Sequence, residues 1–123
     1  VVIVGLIIWT ELKRLNRGYA DVTPAEAVQL INREDALVLD VRDGGEFKDG
    51  KIRGAKHIPL TSLKTRVSEL SKHKDKAIVA YCRVGTRSPD ACVMLRKNDF
   101  QKVYNMKGGF QGWLTANLPV AHK

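Results

Sequence analysis

The chain has 123 residues, 44% hydrophobic and 28% charged, which suits one folded domain with a real core and argues against a disordered or low-complexity segment. Its 21 basic and 13 acidic residues leave a formal charge of +8, which points to anionic partners; the basic residues are spread along the chain without a nucleic-acid-binding motif, so nucleic acid is not expected among them. Cys82 and Cys92 form neither a disulfide framework nor a C-x-x-C, which points to a reducing compartment, and His57, His73 and His122 make no zinc pattern, so no metal is expected.

In chain order, the first stretch is the apolar run "VVIVGLIIW". Nine residues are too few to cross a bilayer, which takes about 20. Because the chain starts at Val1 rather than Met, the run is expected to be the end of a transmembrane helix. Trp9 would then sit at the interface, with Lys13, Arg14 and Arg17 on the cytoplasmic side. A short buried helix or strand is the other reading. Residues 10–18, "TELKRLNRG", read as a polar linker, so residues 1–18 form the membrane segment and linker and 19–123 the folded domain.

"TPAEAVQLINRE" predicts a helix with Thr23 as its cap, Pro24 first and Glu26 closing a capping box. "ALVLDV" (36–41) is a short continuous apolar run, as expected of a strand buried on both faces. "RDGGEFKDGKIRG" reads as a glycine-rich loop carrying at most one helical turn around Glu46 and Phe47. "AKHIPL" reads as a short strand closed by Pro59. "SLKTRVSELSK" places Leu63, Val67 and Leu70 at helical spacing, and "KAIVAYC" is a second buried strand ending at Cys82. "SPDACVMLRKNDF" predicts a helix capped by Ser88, with Pro89 first and Asp90 in the first turn. "KVYNM" is a last short strand, and "KGGFQGWLTANLP" a glycine turn, a short helix and a proline stop.

Strands and helices alternate with room for crossovers, which implies an α/β domain with a mainly parallel sheet and helices on both faces. Ligands of such sheets bind beyond the carboxyl ends of the strands. Two strands end in polar chemistry there, one in Asp40-Val41-Arg42 and the other in Cys82-Arg83.

The loop "CRVGTRS" can lower the pKa of its cysteine in two ways. The helix that follows aims its free N–H groups and dipole at the loop, and Arg83 and Arg87 supply positive charge. Gly85 lets successive N–H groups turn towards one point, and Thr86 and Ser88 add hydroxyls. A buried inert thiol is the bland alternative for Cys82. For Cys92, inside the helix near Val93 and Leu95, that alternative is the expected one.

Three segments in order resemble the single-domain rhodanese (thiosulfate sulfurtransferase) family: "VLDVRDGGEFKDGKIRGAKHIPL", "IVAYCRVGTRSPDACVML" and "VYNMKGGFQGWLTANLPV". The likeness covers about residues 19–120. The family often has His where Lys51 stands and Pro where Arg53 stands. The resemblance implies a five-stranded, mainly parallel sheet with helices on both faces, and Cys82 as the carrier of a persulfide. It implies that Arg83, Val84, Gly85, Thr86 and Arg87 bind the substrate, and that Asp40, Arg42 and Ser88 support the site. Implied partners are a small anionic sulfur donor such as thiosulfate and a thiol or cyanide-like acceptor, with no cofactor. The apolar leader is similar to that of membrane-anchored bacterial rhodaneses, which implies a single-pass inner-membrane protein with a monomeric cytoplasmic domain.

Two rivals stand beside this reading. Related cysteine phosphatases use C-x5-R, whereas here position 88 is serine and the arginine comes one residue early, at 87. A shorter loop makes a smaller cradle, better sized for sulfur than for a phosphoryl group. The second rival is a membrane-tethered binding or regulatory module without significant turnover.

Overall fold

The computed structural model describes residues 18–122. Residues 1–17, which carry the expected membrane segment and most of the linker, lie outside the described residues. Among the described residues no helix is long and apolar enough to cross a membrane.

The chain runs β1 (Ala20–Val22), α1 (Pro24–Glu34), β2 (Leu37–Asp40), α2 (Gly44–Asp49), β3 (Lys51–Ile52), β4 (Lys56–His57) and α3 (Leu60–Arg66). A 3-10 helix (Val67–His73) leads into β5 (Ala77–Tyr81), α4 (Ser88–Lys97), β6 (Lys102–Met106), α5 (Gly109–Thr115) and β7 (Val120–Ala121). Five strands form one parallel sheet in the order β1-β6-β5-β2-β4, and β3 pairs antiparallel with β7. The α/β fold with a five-stranded parallel sheet is as expected.

Side chains on a strand alternate between faces, and β5 shows how this positions the chemistry. Ala77, Val79 and Tyr81 pack into one core layer with Ala27 of α1 and Trp113 of α5. Ile78, Ala80 and then Cys82 pack into the other, with Leu63, Leu70, Cys92 and Leu95. Both faces are covered, so every residue of β5 is buried. Cys82 therefore continues the face that meets α4, while Tyr81 turns towards β2 on the opposite side.

The capping box of α1 forms as expected: Glu26 N–H donates to Thr23 Oγ1 at 3.2 Å and Thr23 N–H to Glu26 Oε1 at 2.8 Å. Four expectations need correction. The stretch around Glu46 is a helix of six residues rather than a loop with a single turn. The helix expected over 62–72 breaks after Arg66 into 3-10 geometry, where residues three apart line up and Val67 and Leu70 both meet the core. Strand β1 was not expected, because "ADV" has no apolar run of its own and is placed by pairing with β6. Finally, α4 begins at Ser88 itself, preceded by Arg87, with no side-chain cap. Ser88 is withdrawn from capping because its hydroxyl is engaged inside the site.

Candidate active site

Cys82 lies where β5 ends, its side chain fully buried. Residues 83–87 then turn back over it before α4 starts. Gly85 takes φ +97°, a left-handed conformation that favours glycine. The outcome is a ring of donors around one sulfur. The N–H groups of Gly85, Arg87 and Ser88 donate to Cys82 Sγ at 3.1, 3.3 and 3.4 Å, and Ser88 Oγ lies 3.4 Å away. Of the loop residues expected to hold sulfur, Gly85 and Arg87 do so through their backbone. Arg83, Val84 and Thr86 are not among the donors to Sγ.

Burial is the strongest single influence on this thiol and pushes its pKa up. The hydrogen bonds from the Ser88 side chain and from the Ser88, Arg87 and Gly85 N–H groups together outweigh it, and the pKa is lowered. The arrangement can thus hold an anionic sulfur away from water.

Ser88 has a second partner: its hydroxyl donates to Asn105 Oδ1. Asn105, on β6, is oriented in turn by donating Nδ2–H to Asp21 Oδ1 at 3.1 Å.

The two loop arginines have different positions. Arg87 grips Glu46 of α2 with both ends of its fork, Nη1 to Oε1 at 3.0 Å and Nη2 to Oε2 at 3.1 Å. Asp43 adds a longer contact at 3.7 Å. The hydrogen bond to Arg87 holds the Glu46 carboxyl below the ordinary carboxylate range, and the same bond raises the arginine. Arg83 has no ion pair or hydrogen bond from its side chain among the described residues. It lines a pocket of about 280 Å³ beside the loop, together with Arg42, Glu46, Asp49, Phe110 and Gln111.

Asp40 and Arg42 form a buried brace next to the loop. Arg42 Nε lies 3.0 Å from both Asp40 oxygens, Nη2 donates to Oδ2 at 2.7 Å, and the Arg42 N–H donates to Oδ1 at 2.9 Å. Nη2 also reaches the Gly50 carbonyl at 2.6 Å. Tyr81 donates its hydroxyl to Asp40 Oδ2 at 2.6 Å and accepts from the Ile52 N–H at 3.2 Å. Burial, then the Asp40 charge, drives the Tyr81 pKa far above its usual value, so the phenol stays a donor. The Arg42 guanidinium lies 4.3 Å from the Phe110 ring centroid, which ties the brace to α5.

The first turn of α5 closes the back of the loop. Phe110 N–H donates to the Cys82 carbonyl at 2.7 Å and Gln111 N–H to the Arg83 carbonyl at 3.0 Å. Gly109 permits the approach: a Cβ there would lie 2.4 Å from the Cys82 carbonyl oxygen.

Cys82, Arg87 and Ser88 are therefore gathered in one loop, with the Asp40–Arg42 pair beside it. Cys92 is buried in α4, its Sγ 3.6 Å from the Tyr104 carbonyl, consistent with the inert reading. Glu46, Asn105 and Tyr81 carry no role in the sequence reading. Only Asn105 left a signal: it is a polar residue in an apolar strand, on the sheet face that Val103 shares with Cys82.

Residues 23–116 match the family model of the rhodanese-like domain. The chain belongs to that family. This rhodanese-like domain is 35% identical over 115 residues to the uncharacterised protein YibN of Escherichia coli K12, covering 93% of this chain and 80% of YibN. It is 30% identical over 106 residues to the thiosulfate sulfurtransferase GlpE of Glaesserella parasuis, covering 86% of this chain and 96% of GlpE. A rhodanese-related protein from Thermoplasma volcanium superposes with a TM-score of 0.76 at 27% identity, over 84% of this chain and 98% of that one. These matches make the rhodanese-like domain described here a member of a sulfurtransferase family.

Proposed function

We propose that this rhodanese-like domain transfers sulfane sulfur through a persulfide on Cys82. The observation that carries the reading is the convergence of three backbone N–H groups on one buried sulfur whose pKa is lowered. In the first half-reaction the Cys82 thiolate attacks the outer sulfur of a donor such as thiosulfate. The new S–S bond forms as the donor's own S–S bond breaks, and sulfite leaves with the electron pair. An acceptor nucleophile, a thiol or cyanide, then takes the terminal sulfur and the thiolate returns. The loop donors suit the anionic terminal sulfur at each stage.

Arg42 and Asp40 hold the neighbouring backbone in this scheme and do no chemistry. Attachment to the cytoplasmic face of a bacterial inner membrane belongs to the same proposal, supported by the apolar run at 1–9 and the cations after it.

Incubation with thiosulfate followed by intact-protein mass spectrometry tests the reading. One added sulfur atom on the wild type, removed by cyanide and absent in Cys82→Ser, is the expected result. No added sulfur on the wild type from thiosulfate or from an organic hydropersulfide would overturn it and favour a binding module.

A further inference from the structure

We propose that Glu46 is a specificity-determining residue that turns the site away from doubly charged donors and towards an organic persulfide. The inference deepens the sulfurtransferase reading and rests on it.

A thiosulfate-specific site needs cations free to meet a dianion. Arg87 is the arginine whose own N–H touches the sulfur, yet both ends of its fork are held by Glu46 at 3.0 and 3.1 Å. A bidentate pair of this kind uses the geometry that an oxyanion would otherwise occupy. Arg42 is committed to Asp40 in the same way. Of the arginines described around the loop, Arg83 alone has no acidic partner.

The pocket wall holds two guanidinium groups, Arg42 and Arg83, against two carboxylates, Glu46 and Asp49. Their charges cancel, so a dianion gains little there and meets two carboxylates. The overall charge of +8 is spread over the chain and is screened beyond about 8 Å at physiological salt. The pocket is also large for thiosulfate. Its volume of about 280 Å³ approaches the lower end of organic-ligand sites, about 300 Å³, and Phe110 and Gln111 offer a wall for an organic stem.

With a persulfide donor R–S–SH, the Cys82 thiolate attacks the terminal sulfur. The bond between that sulfur and Cys82 forms and the R–S bond to it breaks. R–S leaves with the electron pair and takes up the proton that the terminal sulfur carried. Cys82 holds the persulfide anion, R–SH is released, and no outside oxidant or reductant takes part.

The test compares sulfur loading of Cys82 from thiosulfate and from hydroxyethyl hydropersulfide in wild type and Glu46→Gln. Wild type should load faster from the hydropersulfide. Glu46→Gln should raise kcat/KM for thiosulfate about tenfold at low salt and so shift the donor ratio towards thiosulfate. Adding Arg87→Gln to Glu46→Gln should cancel the gain, because the freed guanidinium is its source. Faster wild-type loading from thiosulfate, or an unchanged donor ratio in Glu46→Gln, would overturn the proposal. If Glu46→Gln does not fold, the wild-type donor preference decides. Loading of the wild type from neither donor would sink the sulfurtransferase reading itself, a result distinct from a wrong donor ratio.

Discussion

Ser88 gives its hydroxyl proton to the side-chain carbonyl of Asn105. Its oxygen nevertheless lies 3.4 Å from Cys82 Sγ, so two acceptors face one proton. While the sulfur is a thiol, its S–H can donate to Ser88 Oγ and the hydroxyl can stay on Asn105. Once the sulfur is an anion, the hydroxyl is worth more turned towards it. The charges nearby are Arg87, paired with Glu46, and Asp21 behind Asn105.

Two substitutions at this relay should therefore act in opposite directions. Ser88→Ala removes a donor from the thiolate and should raise the thiol pKa, whereas Asn105→Leu frees the hydroxyl for sulfur and should lower it. A hydrogen bond to a charged group is worth about 1.5–3 kcal/mol, so each midpoint should move by about one to two pH units. The pH dependence of iodoacetamide alkylation at Cys82 measures both. Shifts of the same sign would mean that the proton is not shared. In wild type the midpoint should lie below that of an ordinary thiol, with alkylation fast above it and lost as pH falls through it.

Gly109 and Gly45 make a matched pair. At Gly109 a Cβ would stand 2.4 Å from one backbone atom and 2.7 Å from another, at φ +58°. Overpacking and backbone strain each cost about 1–3 kcal/mol, so Gly109→Ala should lower the urea midpoint and slow sulfur loading, because the atoms displaced belong to Cys82 and Arg83. At Gly45 nothing lies within 4 Å and the residue is helical, so Gly45→Ala should leave loading unchanged and stability equal or up to about 1 kcal/mol higher.

The Asp40–Arg42 brace should show the asymmetry of buried ion pairs. Arg42→Met leaves a buried carboxylate with only Tyr81 and a backbone N–H for partners, and should cost about 3–5 kcal/mol. Adding Asp40→Leu should recover part of that loss in urea unfolding. A double variant less stable than Arg42→Met would show that the carboxylate is not the source of the penalty.

Acid should weaken the link between α2 and the cysteine loop. Glu46 has a lowered folded pKa, so its stabilising contribution is present above the ordinary value of 4.5 and is lost as pH falls through the lowered value. The wild-type urea midpoint should drop over that window more steeply than that of Glu46→Gln. Parallel curves would mean that the ion pair adds nothing to the fold.

The parts legible in sequence are those set by local rules. The capping box at Thr23 and Glu26, the apolar runs that become β2 and β5, and the glycine loop between Cys82 and Pro89 all announce themselves within a few neighbouring residues. What stayed hidden depends on contacts far apart in the chain. Glu46 meets Arg87 across 41 positions and Asn105 meets Ser88 across 17. Ser88 itself shows the conflict: a serine before Pro-Asp is the local signature of a cap, but the buried sulfur and Asn105 claim its hydroxyl and the helix boundary moves by one residue.

The hold of α5 on the Cys82 and Arg83 carbonyls also orders events in time. Every direct donor to the sulfur has been synthesised by residue 88, but the partner of Ser88 arrives with Asn105 and the backbone clasp only with Phe110 and Gln111. A chain that stopped before Asn105 would therefore carry every direct donor to the sulfur but neither the partner of Ser88 nor the clasp on the loop backbone.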